Sequence, residues 1–252
     1  MKKLILLSAI FTLISCNSTE KKKSEPVHAS ETVLIVNYQL DNMSLEEHAE
    51  LGSAVAPNFV SENVSGLLGK SFIGDLERGV FGGVYYFEDS QSVSTYLDSE
   101  LWKGVVAHPN LVDFETDVFK TFNGTKLANG EHATRKTSSD EADANNLHIL
   151  VVNYTYLEAP SDEEMSSQIK EFAPVFSNEN FPGMIGKTMI NNTEDKIYGG
   201  VYYFTSRGAI ENYFQSDLWK GFEGDENTDV YKKDIYSVAP ISTISNGVPV
   251  LN

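Results

Sequence analysis

The stretch Gly-Gly-Val-Tyr-Tyr-Phe at residues 82–87 returns unchanged at residues 199–204, which lie 117 positions later. Neighbouring segments repeat at the same offset: GLLGK at 66–70 matches GMIGK at 183–187, and LWKG at 101–104 matches LWKG at 218–221. A unit of this length is too long for a solenoid repeat, so it indicates two copies of a whole domain.

Each copy has the same predicted order of elements, β-α-β-β-α-β. A capping box opens the first helix at Ser44 and again at Ser161, and Pro57 and Pro174 are expected to kink or end that helix. The other elements follow from apolar alternation and helical spacing. In the first copy the predicted strands are 33–40, 67–73, 80–87 and 116–122, and the second helix runs from about 90 to 102.

This order predicts an α+β fold of two tandem ferredoxin-like repeats. Such a sheet carries helices on one face only, and a second sheet of the same kind can cover the other face. We therefore expect the repeats to pack sheet to sheet as an intramolecular dimeric α+β barrel. The predicted organisation is a leader at 1–15, a tether at 16–31, repeat 1 at 32–130, a linker at 131–146 and repeat 2 at 147–252.

The amino-terminal segment resembles a bacterial lipoprotein signal. Lys2 and Lys3 precede an apolar run that is too short to span a bilayer, and Leu-Ile-Ser-Cys closes it at Cys16. In that family the cysteine becomes the acylated first residue, so we expect Cys16 to anchor the chain to a membrane of the cell envelope. Asn17 follows the cysteine, which favours the outer over the inner membrane.

Charge and cysteine usage exclude several function classes. The formal charge of −17 opposes binding to nucleic acid or electrostatic adsorption to an anionic membrane. Cys16 is the only cysteine, so no disulfide or thiolate metal site is available. No motif for a metal, a nucleotide or a catalytic triad is present, and homo-oligomerisation is not required. We expect a small-molecule ligand and no cofactor.

Both copies resemble the YdhR-type monooxygenases, relatives of the antibiotic-biosynthesis monooxygenases, over about 95 residues each. The resemblance rests on the GGVYYF stretch, the preceding G-x-x-x-K and Phe181-Pro182-Gly183. These motifs are structural and imply the fold more than the chemistry. The family resemblance implies a cofactor-independent oxygenase that binds a small aromatic or quinol-like substrate in the cleft between sheet and helices.

Candidate residues for such a cleft combine buried polar groups with aromatic rings. His48 lies on the apolar stripe of the first helix, where the second copy has Met165, and could act as a general base. Each candidate also has a purely structural interpretation. The candidates for catalysis are His48, Asn37, Tyr85, Trp102 and His108, and those for substrate binding are Tyr86, Asn153, Tyr202, Tyr203 and Trp219.

Two further functions remain open. Haem-degrading relatives use a strand Asn, a helix Trp and a following His; Asn37 and His108 loosely fit, but Tyr96 occupies the Trp position. A non-catalytic binding module is the other alternative. Lys70 and Lys187 are interpreted as strand-edge charges that discourage aggregation.

Overall fold

A computed structural model describes residues 30–122 and 146–242 of the chain. The first segment contains β1 (Thr32–Leu40), α1 (Leu45–Val55), β2 (Leu67–Asp75), β3 (Val80–Phe87), α2 (Ser90–Leu97), α3 (Glu100–Val106) and β4 (Leu111–Thr121). The second contains β5 (His148–Tyr156), α4 (Asp162–Phe172), β6 (Met184–Asn192), β7 (Ile197–Phe204), α5 (Arg207–Phe214), α6 (Asp217–Glu223) and β8 (Thr228–Val238).

Local sequence signals explain where the helices begin and end. Both capping boxes form: Ser44 and Ser161 each accept from the backbone N–H of the glutamate three residues on, and that glutamate returns the bond. Pro57 stands in a short 3-10 turn that follows α1 directly. The predicted second helix is in fact two, because Ser99 caps a new helix by accepting from the N–H of Trp102. The last strand of the first repeat is also longer than predicted.

The eight strands close into one barrel in the order β1-β3-β2-β8-β5-β7-β6-β4. All pairs are antiparallel, and each repeat contributes four consecutive strands. Two short ladders join the repeats: Ile73 and Gly74 of β2 pair with β8, and Lys120 and Thr121 of β4 pair with β6. The predicted sheet-to-sheet α+β barrel is therefore confirmed. At these two ladders the outer strands of each repeat's sheet pair with strands of the other repeat.

Strand alternation divides the apolar residues into three cores. The barrel interior holds side chains from both repeats, including Val33, Ile35 and Val84 of the first. The other two cores lie between each sheet and its own helices; Leu34 and Val36, for example, face the helices of the first repeat. Each repeat therefore has its own sheet–helix layer, outside a shared interior.

The segment after β8 crosses onto the first repeat. Phe72 of β2 accepts a hydrogen bond from the N–H of Ala239 at 2.8 Å and donates its own N–H to Oγ of Ser242 at 2.9 Å. Ile241 packs against the first sheet–helix core, and a Cβ added at Gly52 of α1 would lie 3.2 Å from its Cδ1. Carboxy-terminal residues of the second repeat thus complete the apolar layer of the first.

No helix within 30–122 or 146–242 is long and apolar enough to cross a membrane. The predicted leader, Cys16, nearly all of the tether and nearly all of the linker lie outside the described residues.

Candidate functional site

Two lysines are buried between sheet and helices, one in each repeat. Lys70 of β2 and Lys187 of β6 have 3% and 5% of their surface exposed. Their interpretation as strand-edge charges is wrong. Because the barrel closes, β2 lies between β3 and β8, and β6 lies between β7 and β4, so neither strand is an edge. Alternation then directs both side chains to the helix-facing side.

Aromatic rings surround both amines. Nζ of Lys70 lies 3.2 Å from the ring centre of Phe59 and 3.8 Å from that of Phe72. Nζ of Lys187 lies 3.4 Å from the ring centre of Phe176 and 4.5 Å from that of Tyr202. Such ring faces attract a cation, but they do not supply the hydrogen bonds that an ammonium loses with its water.

No hydrogen-bond or ion-pair partner of either amine occurs among the described residues. Burial lowers the pKa of Lys70 and of Lys187 well below the usual 10.5, because desolvation penalises the charged form. A neutral amine differs in chemistry from an ammonium, since it keeps a lone pair that can accept a proton or attack an electrophile.

The paired glycines of the repeated motif create room for these lysines. A Cβ at Gly200 would lie 3.2 Å from Cε of Lys187 and 2.7 Å from the Tyr202 ring, and Gly83 has the same relation to Lys70 and Tyr85. The preceding glycine has another role: a Cβ at Gly82 would collide with the carbonyl oxygen of Val36 at 1.8 Å. The GGVYYF and G-x-x-x-K motifs therefore describe one packing unit.

A cavity of 630 Å³ opens between the sheet and helices of the second repeat, and Lys187 lies in its wall. Its lining is largely aromatic and aliphatic, with carboxylates and amides contributed by Glu158, Glu164, Gln168 and Asp225. The apolar and aromatic part of the lining comprises Phe122, Tyr154, Tyr156, Met165, Ile169, Phe172, Phe176, Met189, Tyr202, Tyr213, Leu218 and Phe222. This size and composition are typical of a site for a small organic ligand.

The corresponding region of the first repeat is arranged differently. Tyr38 OH lies 2.8 Å from Nε2 of His48, and the imidazole packs on Phe81 with ring centres 4.6 Å apart. His48 is half-buried, and desolvation lowers its pKa below the usual 6.5, so the ring is neutral near pH 7. Met165, its counterpart, lines the cavity of the second repeat.

The scan against family models matches "Putative mono-oxygenase ydhR" twice, over residues 33–131 and 149–248. The chain belongs to the ydhR family. No curated protein matches significantly. Both family matches cover a whole repeat, so the internal duplication is a duplication of this family's domain.

Solved structures share the fold at low sequence identity. A structure titled a putative monooxygenase from Fusobacterium nucleatum has a TM-score of 0.54 and 12% identity, with 88% of this chain and 97% of that chain covered. An "anthrone oxidase-like protein" has a TM-score of 0.52 and 10% identity, covering 83% and 92%. A structure of chlorite dismutase from Candidatus Nitrospira defluvii has a TM-score of 0.52 and 12% identity, with 83% of this chain and 91% of that chain covered. At these identities the likeness establishes the fold alone.

Four residues predicted for the clefts face the barrel interior instead. Tyr86 and Tyr203 belong to the interior core, with ring centres 6.4 Å apart, and Tyr203 OH is hydrogen-bonded to Ser71 Oγ at 3.2 Å. Alternation along β1 and β5 turns Asn37 and Asn153 to the same side, opposite Tyr38 and Tyr154. The physical reason is the period of two, which separates neighbours onto opposite faces of a strand.

The other predicted residues are on the helix side but are dispersed. Tyr202 lines the cavity, and Tyr85 packs beside Lys70. Trp102 is half-buried against Tyr96 and Phe114, whereas Trp219 is buried and donates its indole N–H to Glu223 at 3.0 Å. His108 lies in the turn after α3, where its Nδ1 accepts from the backbone N–H of Asn110 at 3.3 Å.

Sequence reasoning missed the lysines as site residues. A signal was present, because each lysine stands at the same motif position in both repeats, two residues before an apolar side chain on the same face of its strand, Phe72 or Met189. A solvated edge charge has no reason to recur with a glycine that clears space for its stem. The described residues contain no cluster of three or more His, Cys, Asp or Glu suited to a metal.

Proposed function

We propose that the chain is a cofactor-independent monooxygenase for a small, neutral, hydroxylated aromatic or quinol-like substrate bound in the cavity of the second repeat. The observation that carries this proposal is the aromatic-walled cavity of 630 Å³ with the Lys187 amine in its wall. A substrate of two or three fused rings suits this volume.

The cavity wall supports the first chemical step. A neutral Lys187 amine can accept the proton of a ring hydroxyl or an activated C–H, and this leaves an electron-rich anion that reduces O₂. In a substrate with an activated CH₂ group, one oxygen atom becomes the new C=O and the other leaves as water with both hydrogens. The substrate supplies all the electrons, so no external reductant is needed. A structural neighbour titled anthrone oxidase-like makes anthrone a suitable first substrate.

The carboxylates of the lining favour a neutral substrate. Glu158, Glu164 and Asp225 contribute negative charge around the cavity, and the whole chain carries −17. Anionic ligands are therefore repelled on approach, whereas a neutral phenol is not. The phenol becomes an anion only after it meets the buried amine.

Haem fits this cavity poorly. Its lining contains no histidine and no cysteine, the residues that most often hold haem iron. In the first repeat, His48 Nε2 is already hydrogen-bonded to Tyr38, and Asn37 faces the barrel interior. We therefore derive no step through haem. A haemin titration of the full chain should give no Soret shift.

Oxygen consumption tests the proposal. We expect the full chain to consume O₂ with anthrone or with a member of a quinol panel, and Lys187→Met to lose at least about tenfold in rate, as expected for a general base. Lys70→Met is the matched control, since it removes the equivalent lysine from the other repeat. No O₂ uptake across the panel would refute the function, and unchanged turnover in Lys187→Met would refute the assignment of the base.

The same panel tests the residues predicted from the sequence. If His48 is the general base, His48→Ala should lose the activity that Lys187→Met keeps. Because the second repeat has Met165 in place of His48, this result would place the chemistry in the first repeat.

We also propose that Cys16 carries a lipid anchor that holds the chain at the cell envelope, at the outer rather than the inner membrane. The support is the amino-terminal sequence, in which Lys2 and Lys3 precede an apolar run that ends in Leu-Ile-Ser-Cys. Mass spectrometry of the mature terminus should find an acylated cysteine, and Cys16→Ser should release the protein from membranes. An unmodified terminus would contradict the anchor.

A further inference from the structure

The Lys187 amine combines two features that make a lysine a nucleophile. It is desolvated among aromatic rings with no described hydrogen-bond or ion-pair partner, and it borders a cavity large enough for an organic ligand. Only the neutral form of an amine attacks a carbonyl carbon, and an apolar pocket is one of the ways in which proteins keep lysine neutral. The proposed role of Lys187 as a proton acceptor does not prevent its amine from acting as a nucleophile.

Lys70 provides an internal comparison. It has counterparts of two ring contacts of Lys187, to Phe59 and Tyr85, and has a third to Phe72. A glycine lies beside its stem in the same way, and it is buried to a similar depth.

Each sheet–helix layer also receives the segment that follows the last strand of the other repeat: Ala239 donates its N–H to the carbonyl of Phe72, and Phe122 donates its N–H to the carbonyl of Met189. The two lysines thus share most of their surroundings, and Lys187 is the one that lies in the wall of the cavity described above.

We propose that the ε-amino group of Lys187 captures small aromatic aldehydes and ketones as a reversible imine within the cavity of the second repeat. The nitrogen lone pair attacks the carbonyl carbon, and a proton moves from nitrogen to oxygen to give a carbinolamine. The C–O bond then breaks and the oxygen leaves as water. The net change is one amine plus one carbonyl giving one imine plus one water, with no oxidant or reductant.

Neighbouring hydroxyls suit the loss of water. Tyr202 and Tyr213 line the same cavity, and burial raises the pKa of both phenols, so both keep the proton that a leaving hydroxyl needs. Phe172 and Phe176 offer faces for an aromatic ring, and the carboxylates of the lining disfavour anionic carbonyl compounds such as keto acids. The selected class is therefore neutral aryl carbonyls.

This inference rests on the proposed function in one respect, the premise that the cavity admits an aromatic ligand. It requires no oxygen and no turnover. Its test can therefore use a covalent product, while the shared premise is tested separately with a non-carbonyl analogue of the same shape.

The experiment treats the full chain with 2-naphthaldehyde and sodium cyanoborohydride near pH 7.4 and maps the reduced adduct by peptide mass spectrometry. At that pH about one ordinary lysine in a thousand is neutral, so Lys187 has a potential advantage of up to about a thousandfold. We expect labelling at Lys187 at least about tenfold faster than at any surface lysine. Lys187→Met should abolish this adduct, and Lys70→Met should keep it.

A second variant guards against misfolding of Lys187→Met. Met165→Trp keeps the amine but fills the cavity, so it should also abolish labelling at Lys187. Binding of 2-naphthol, followed by tryptophan fluorescence, tests the shared premise. If 2-naphthol binds and Lys187 is labelled no faster than surface lysines, the imine inference is overturned and the ligand site stands. If 2-naphthol does not bind and no adduct forms, both proposals fail.

Discussion

Removing a buried lysine should change how the stability of this protein depends on pH. Desolvation holds the folded-state pKa of Lys187 well below its unfolded value, so between these two values the unfolded chain binds a proton there that the folded chain does not. The free energy of unfolding therefore rises with pH in this range. Stability is fully regained only above the unfolded pKa near 10.5, and it is lost as pH falls toward the folded pKa.

The expected magnitude follows from the proton count. One proton corresponds to about 1.4 kcal/mol per pH unit, and Lys70 and Lys187 each contribute one. These two groups should give the wild type a slope of about 2.7 kcal/mol per pH unit wherever the pH lies above both folded pKa values and below the unfolded value near 10.5. Lys187→Met and Lys70→Met should each lower it by about 1.4 kcal/mol per pH unit, and the double variant by twice that. A methionine of similar volume also ends the desolvation cost, so Lys187→Met should be at least as stable as the wild type near neutral pH.

Urea unfolding followed by tryptophan fluorescence measures these slopes. The range should stop below about pH 10, because unfolding exposes buried tyrosines with raised pKa values, and these oppose the lysine effect at higher pH. Equal slopes in the wild type and all three variants would refute the reasoning. That result would mean that the aromatic rings keep both amines charged in the fold.

Three further outcomes test individual contacts. In thermal unfolding, Gly200→Ala should lower the free energy of unfolding by about 1–3 kcal/mol, because the new Cβ would overlap the Tyr202 ring. Gly104→Ala in α3 is the control: its Cβ would meet nothing within 4 Å, so this change should be neutral or stabilising. By NMR, the His48 imidazole should titrate below pH 6.5, since desolvation lowers its pKa; a midpoint above 6.5 would contradict its burial against Phe81. Arg78→Ala should lower the free energy of unfolding by about 1 kcal/mol, because the guanidinium joins the β2–β3 turn to Asp234 of β8 at 2.6 Å. The side chain is 45% exposed, so high salt should reduce this loss, and a loss that salt does not change would argue against the ion pair.

Predictions from the sequence succeeded where the signal was local or periodic. The capping boxes at Ser44 and Ser161 depend on four consecutive residues, and both formed as predicted. Apolar alternation placed the first three strands close to their observed bounds, Thr32–Leu40, Leu67–Asp75 and Val80–Phe87. The break between α2 and α3 was missed, although Ser99 followed by an acidic residue is a recognisable cap.

The candidate site was predicted less well because it depends on strand pairing across the two repeats. Asn37 and His48 were predicted to lie together in a cleft. In the structure Asn37 faces the barrel interior, and it is the next residue of β1, Tyr38, that faces the helices and contacts His48. Lys187 was interpreted as an edge charge, since nothing within β6 indicates that β4 will pair with it.

By itself, the sequence determined the duplication, most of the order of elements and the resemblance to the ydhR family, because these follow from repeated motifs, periodicity and short-range backbone chemistry. Only the tertiary structure decided that β2 pairs with β8 and β4 with β6. It also decided that Lys70 and Lys187 are buried among aromatic rings between each sheet and its own helices. The tertiary structure further decided that Ile241 packs beside Gly52 in the first repeat and that Ile169 lines a cavity in the second. The reason is physical: the pKa and reactivity of an amine depend on how much of its hydration is lost on burial. Side chains from other strands and helices of the fold exclude that water.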